Sequence, residues 1–139
     1  MEPIVPLSDV ETFAEGLDHA EGICVAPDGT VYCGGEAGQI YVIDPDDTPR
    51  EIANTGGFML GLAADGDGNI YAIDLVHSTV WRFSGDGNER SAFCTGNDEQ
   101  SLGVPNWGAF DAGGNYYLTD SGGWGEQNGH VWVQRPGAQ

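Results

Sequence analysis

A carboxylate and a carboxamide, Glu21 and Asn106, hold the same place in an internal repeat of this sequence. Three segments align without gaps. They are Glu21-Gly22-Ile23-Cys24-Val25-Ala26-Pro27-Asp28-Gly29-Thr30-Val31-Tyr32, Leu60-Gly61-Leu62-Ala63-Ala64-Asp65-Gly66-Asp67-Gly68-Asn69-Ile70-Tyr71, and Asn106-Trp107-Gly108-Ala109-Phe110-Asp111-Ala112-Gly113-Gly114-Asn115-Tyr116-Tyr117. Two of the three leading positions carry side-chain oxygens. Carboxylate and amide oxygens together are the ligand set of a hard divalent cation. Other chemistry-bearing groups read as structural. Asp65-Gly66-Asp67-Gly68-Asn69 resembles the opening of a calcium-binding helix-loop-helix, but its twelfth position is Val76 and its sixth is Ile70, so a hairpin turn is expected. His19 and His77 are lone histidines, and Asp74 is the repeat equivalent of Asp120, at a strand end. Cys24, Cys33 and Cys94 make no metal-ligand spacing, and their odd number argues against a disulfide framework. Centring the first hairpin on Asp28-Gly29 places Cys24 opposite Cys33, a cross-strand pair of reduced, buried thiols.

The elements that must position these residues are short strands. The repeat intervals are 39 and 46 residues, near the roughly 40–50 residue period of propeller blades. Each unit reads as an apolar inner strand, an Asp/Gly turn and further strands, and no stretch has an apolar period of a helix. The fold class is therefore all-β, a β-propeller of four-stranded antiparallel blades, with about three blades present of a probable six. The propeller spans about residues 10–137: blade one about 21–56, blade two about 60–95, blade three about 106–137, and an edge strand of the last blade about 10–15. Unit three lacks a fourth strand. A ring needs at least about four blades to close, so the expected partner is a missing C-terminal half-propeller.

Loop positions alternate between two faces in such blades. Asp28, Asp46, Asp47, Asp67 and Asp86 fall on one. His19, Glu21, Asp74, His77, Asn106, Asp120, Ser121, Trp124 and Asn128 fall on the other, where inner strands begin and ligands of propellers usually sit.

Charge excludes other functions. The chain has 22 acidic residues against 4 arginines and no lysine, a formal charge of −18. Such a field repels phosphate backbones and anionic lipid, so neither nucleic acid nor membrane is an expected partner. Calcium affinity and adaptation to high salt both explain the acidity, and the lack of lysine favours a halophilic host. No secretory signal is visible near Met1, so a cytoplasmic location is expected.

Glu21-Gly22, Pro105-Asn106 and Gly114-Asn115-Tyr116-Tyr117-Leu118-Thr119-Asp120 together resemble the senescence-marker/gluconolactonase/regucalcin-like family of six-bladed lactonases. The resemblance covers about residues 15–135, the N-terminal half of that domain. It implies divalent-metal-dependent hydrolysis of a small-molecule lactone, with calcium or zinc as cofactor. Glu21 falls on a metal ligand and Asn106 on a substrate-binding position. Two further ligands, including the general-base Asp, belong to later blades, so this chain alone is expected to be inactive. Trp107 departs from the family, which has Asp there. The resemblance also suggests a second calcium site at Ser101, Gly103, Asp120 and Asn128, where a glycine-rich loop with a turn Asn reads equally well. Two other readings fit the repeat: a non-enzymatic NHL-repeat-like binding scaffold, and a strictosidine-synthase-like propeller without a channel metal.

Overall fold

The computed structural model describes residue 5, residues 7–123 and residues 125–137; Trp124 lies outside the described residues. The strands are β1 (Ile23–Val25), β2 (Val31–Gly34), β3 (Gln39–Ile43), β4 (Pro49–Asn54), β5 (Met59–Ala64), β6 (Ile70–Asp74), β7 (Thr79–Phe83), β8 (Arg90–Cys94), β9 (Pro105–Phe110), β10 (Tyr116–Asp120) and β11 (His130–Gln134). They pair antiparallel and in chain order as β1-β2-β3-β4, β5-β6-β7-β8 and β9-β10-β11. The architecture is an incomplete β-propeller, two blades of four strands and one of three. Among the described residues the one helical element is a 3-10 turn, Leu7–Asp9, and no helix is long and apolar enough to cross a membrane.

The turns explain the repeat. Gly29, Gly68 and Gly114 close the inner hairpins with φ of 90°, 82° and 78°, a left-handed geometry that glycine adopts without a Cβ penalty. Asp65 caps its turn: the Asp67 and Asn69 backbone N–H groups, the Asn69 amide and the Tyr71 hydroxyl all donate to it at 2.8–3.0 Å. Asp111 repeats the arrangement with the Gly113 and Asn115 backbones and the Asn115 amide. The calcium-loop look-alike is thus a hairpin cap.

Two expectations are corrected. The pairs are Val25 with Val31, Cys24 with Tyr32, and Ile23 with Cys33. The hairpin is centred on Asp28 itself, a three-residue turn, so Cys24 and Cys33 fall on opposite faces of the blade and do not pair. All three cysteines are free thiols, and burial pushes the Cys24 thiol up to about 12. Residues 10–15 form no strand either. A strand exists only with a ladder partner, and none is present for them among the described residues. Instead Phe13, Ala14 and Leu17 run beside Ile23, Cys33 and Ile43 of blade one.

The core lies between blades, not within them. Tyr32, Ile40 and Val42 of blade one pack on Ile70, Ala72 and Phe83 of blade two. Tyr71, Ile73 and Val80 of blade two pack on Tyr116 and Leu118 of blade three. Outer-strand bulges place Ile52 and Phe93 at matching points of these two layers. Tyr116 is 1% exposed and its hydroxyl has no hydrogen-bond partner among the described residues. A buried unsatisfied hydroxyl costs on the order of 1–3 kcal/mol. Tyr116→Phe is therefore expected to stabilise the chain by about 1 kcal/mol, read as a higher urea midpoint at unchanged slope. A lower midpoint would show that the hydroxyl has a partner after all.

Candidate functional site

The site is built on three β-bulges. In blade two, Met59 pairs with Asp74 and Leu62 with Ala72, so Leu60 and Gly61 together oppose Ile73. In blade three, Asn106 is the extra residue between Pro105, opposite Asp120, and Trp107, opposite Thr119. In blade one, Gly34 accepts from the Glu21 N–H at 3.2 Å and donates to the Gly22 carbonyl at 3.0 Å, the same two-against-one arrangement. Bulges bend a strand and re-aim the side chain at the extra position. Here they fall on Glu21, Leu60 and Asn106, the positions that lead the sequence repeat.

Close backbone approach aligns them. A Cβ on Gly22 would collide with the Leu60 carbonyl, and one on Gly61 would lie 2.9 Å from the Trp107 Cα and 3.0 Å from the Asn106 carbonyl oxygen. The beginnings of β1, β5 and β9 therefore lie side by side at one end of the molecule. Glu21 and Asn106 are exposed there, and among the described residues neither side chain has a hydrogen-bond partner. Trp107 fills the place of Gly22 and Gly61. Its backbone is clasped by Thr119, whose hydroxyl accepts from the Trp107 N–H and donates to its carbonyl, both at 3.1 Å. His19 lies at the same end, with Nδ1 3.0 Å from Asp18 and 3.1 Å from Glu36. The Asp18 hydrogen bond, then the charge of Glu36, raises its pKa.

Two buried aspartates hold this end in place. Asp74 is fully buried, and its carboxylate accepts from the backbone N–H groups of Phe58, Val76 and His77, from the His77 ring at 2.7 Å and from the Trp81 indole at 3.2 Å. Asp120 accepts from Gly103, Val104 and Gly122 at 2.7–2.9 Å and from the Trp132 indole at 3.2 Å. Each carboxylate grips the segment entering its own blade just before the bulge. Burial alone would raise both pKa values, but these donors outweigh it and hold them below the usual aspartate value. Blade one has Gly35 at the equivalent position.

The residues expected for a second calcium belong to this latch. Gly103, Asp120 and Asn128 do come together around Gly122. However, the Asp120 oxygens face N–H donors. The Gly103 carbonyl accepts from the Ser78 hydroxyl at 3.3 Å, and the Asn128 amide oxygen accepts from the Gly123 N–H at 2.9 Å. Ser101 is bridged to Gly96. These oxygens accept hydrogen bonds from protein donors, and the set acts as a loop latch. Sequence reasoning misses the tryptophans of the latch. Trp81 and Trp132 stand two residues into β7 and β11, a shared spacing that the repeat alignment, confined to the inner hairpins, passes over.

No protein-family model matches the sequence, and no curated protein sequence matches it. Solved structures do. A gluconolactonase of Xanthomonas campestris superposes with a TM-score of 0.77 at 16% identity, over 90% of this chain and 46% of that one. A structural-genomics gluconolactonase candidate gives 0.74 at 16% identity over 91% and 48%. A chain of a nidogen–laminin complex gives 0.67 at 20% identity over 84% and 44%. The shared property is the propeller fold. The chain spans about half the length of each of these structures.

Proposed function

We propose that this chain is half of a divalent-metal-dependent lactone hydrolase, completed by a further half-propeller. The observation that carries the reading is the pair of exposed oxygen donors, Glu21 and Asn106, set on matching bulges at one end of a fold shared with gluconolactonases. The donors fit the cation in kind: hard oxygens, without hydrogen-bond partners among the described residues, at the starts of the first and third inner strands with β5 between them. Glu21 would hold the ion, calcium or zinc, and Asn106 would orient a small lactone through its amide. The bound ion supplies Lewis acidity to polarise a carbonyl. Gly22 keeps β1 close against β5, and Gly61 keeps β5 close against β9. The general-base carboxylate and the remaining ligands come from the other half of the ring.

The test is calcium and zinc titration of the chain by calorimetry, with Glu21→Gln alongside. Loss of the carboxylate charge is expected to weaken binding about tenfold or more, some 1.4 kcal/mol. Equal affinity in the two proteins would remove Glu21 as a ligand and with it the metal-hydrolase reading.

A further inference from the structure

Asn128 presents its side chain to attack by its own backbone. Of the seven asparagines, it alone precedes a glycine. The others are followed by Thr55, Ile70, Glu89, Asp98, Trp107 and Tyr116, whose side chains crowd the backbone nitrogen next to them. Asn128 and Gly129 are both exposed and belong to no strand; they lie in the crossing loop between β10 and β11. The Gly129 N–H has no hydrogen-bond partner among the described residues. Without a Cβ, this residue can turn its nitrogen toward the preceding side chain. The side-chain amide is held at both ends. Its oxygen accepts from the Gly123 N–H at 2.9 Å, and its nitrogen donates to the Glu126 carboxylate at 2.7 Å. The Gly123 N–H therefore faces the atom on which negative charge develops when the amide carbon is attacked, the arrangement of an oxyanion donor.

We propose that Asn128-Gly129 is a self-modification site, where deamidation loosens the crossing loop of blade three. The Gly129 nitrogen gives its proton to solvent base and bonds to the Asn128 Cγ. The Cγ–Nδ2 bond breaks, and the nitrogen takes a proton from water and leaves as ammonia. A cyclic succinimide remains, and water is the co-reactant that opens it. Cleavage of the new bond between Cγ and the Gly129 nitrogen leaves an aspartate at position 128. Cleavage of the main-chain bond leaves an isoaspartate, with the chain running through Cγ. In both products a carboxylate replaces the amide, so the attraction to Glu126 becomes repulsion between two like charges. Isoaspartate also lengthens the main chain by one methylene just before β11, whose first residue, His130, pairs with Asp120. The Asn128 side chain packs against Gly122, where a Cβ would collide with it, and the Gly122 N–H donates to Asp120 at 2.9 Å. The change therefore reaches the Asp120 latch at the entry to blade three, beside the bulge at Asn106. None of this depends on the function proposed above.

Ageing of the full chain in warm, mildly alkaline buffer, followed by peptide mapping with mass spectrometry, tests it. A synthetic peptide of residues 121–130 serves as the unconstrained reference. Position 128 is expected to convert ahead of the six other asparagines, to both products, at a rate within about tenfold of the peptide's. Gly129→Ala is expected to slow the conversion about tenfold or more, some 1.4 kcal/mol of barrier. The added methyl would lie 3.1 Å from the Asp120 carbonyl oxygen. Should it disturb the fold, Asn128→Gln is the second variant, expected to keep its amide throughout. Aged parent protein is expected to unfold at a lower urea concentration than fresh protein, and aged Asn128→Gln at the same concentration as before. An amide that persists at position 128 while the peptide converts overturns the proposal, as does earlier conversion of another asparagine. Conversion with an unchanged urea midpoint refutes the loosening of the loop.

Discussion

Gly22→Ala is expected to lower stability by about 3 kcal/mol, at the upper end of overpacking costs, and the unfolding temperature by roughly 10 °C. The added methyl meets the Leu60 carbonyl, which is backbone and cannot rotate away, with the Leu62 side chain behind it at 2.9 Å. Relief requires blade one to move off blade two, across a core layer that includes Met59, Ile70 and Phe83. Gly29→Ala is the control. Gly29 has φ of 90°, but a methyl added there would meet nothing within 4 Å, so its substitution costs only the left-handed backbone, about 1 kcal/mol. Urea unfolding of the two variants separates the effects. Equal midpoints would mean that the inner strands are not in close contact, and the alignment of Glu21 with Asn106 would fall with it.

Asp74→Asn is expected to cost about 3 kcal/mol. The substituted amide turns an N–H₂ group toward some of the five donors that now converge on the carboxylate, leaving buried N–H groups of the entry to blade two without an acceptor. The pH dependence has a definite sign. Asp74 and Asp120 have folded pKa values below those of the unfolded chain. Their contribution is complete above the unfolded value of about 3.9 and disappears as pH falls through the lower folded values. Acid unfolding of the parent chain should therefore steepen below about pH 4, and Asp74→Asn should flatten that limb while lowering stability at neutral pH. A variant as stable as the parent at neutral pH would show that the latch contributes nothing.

Most strands were legible because each is bounded by turn chemistry that acts locally. Asp65 with Gly68 and Asn69, and Asp111 with Gly114 and Asn115, specify their hairpins within a few residues. What stayed hidden depends on contacts between blades. The bulges at Glu21-Gly22, Leu60-Gly61 and Asn106 are set where one inner strand presses on the next, and an ungapped alignment carries no sign of them. The one-residue error at Cys24 and Cys33 came from assuming a two-residue turn where Pro27-Asp28-Gly29 makes three. Register alone put Glu21 and Asn106 at equivalent strand starts, and the bulges fall on the same positions. The family resemblance suggested a cation for Asp120, but its surroundings supply hydrogen-bond donors, and only the folded crossing loop brings those donors to it.

The three-stranded third blade has a consequence for handling the protein. Outermost strands β4 and β8 carry charged residues, Arg50 and Glu51 on one and Arg90 on the other, which discourage strand addition. β11 reads His-Val-Trp-Val-Gln, without a formal charge at neutral pH and with high β propensity. Its protection against edge-to-edge aggregation comes from the anionic charge of the whole molecule rather than from a local gatekeeper. Acidification removes that protection by neutralising carboxylates, and the stability supplied by the aspartate latches is lost on the same descent in pH. Precipitation through β11 and loss of the native fold should therefore set in together, and solubility would serve as an early reading of unfolding.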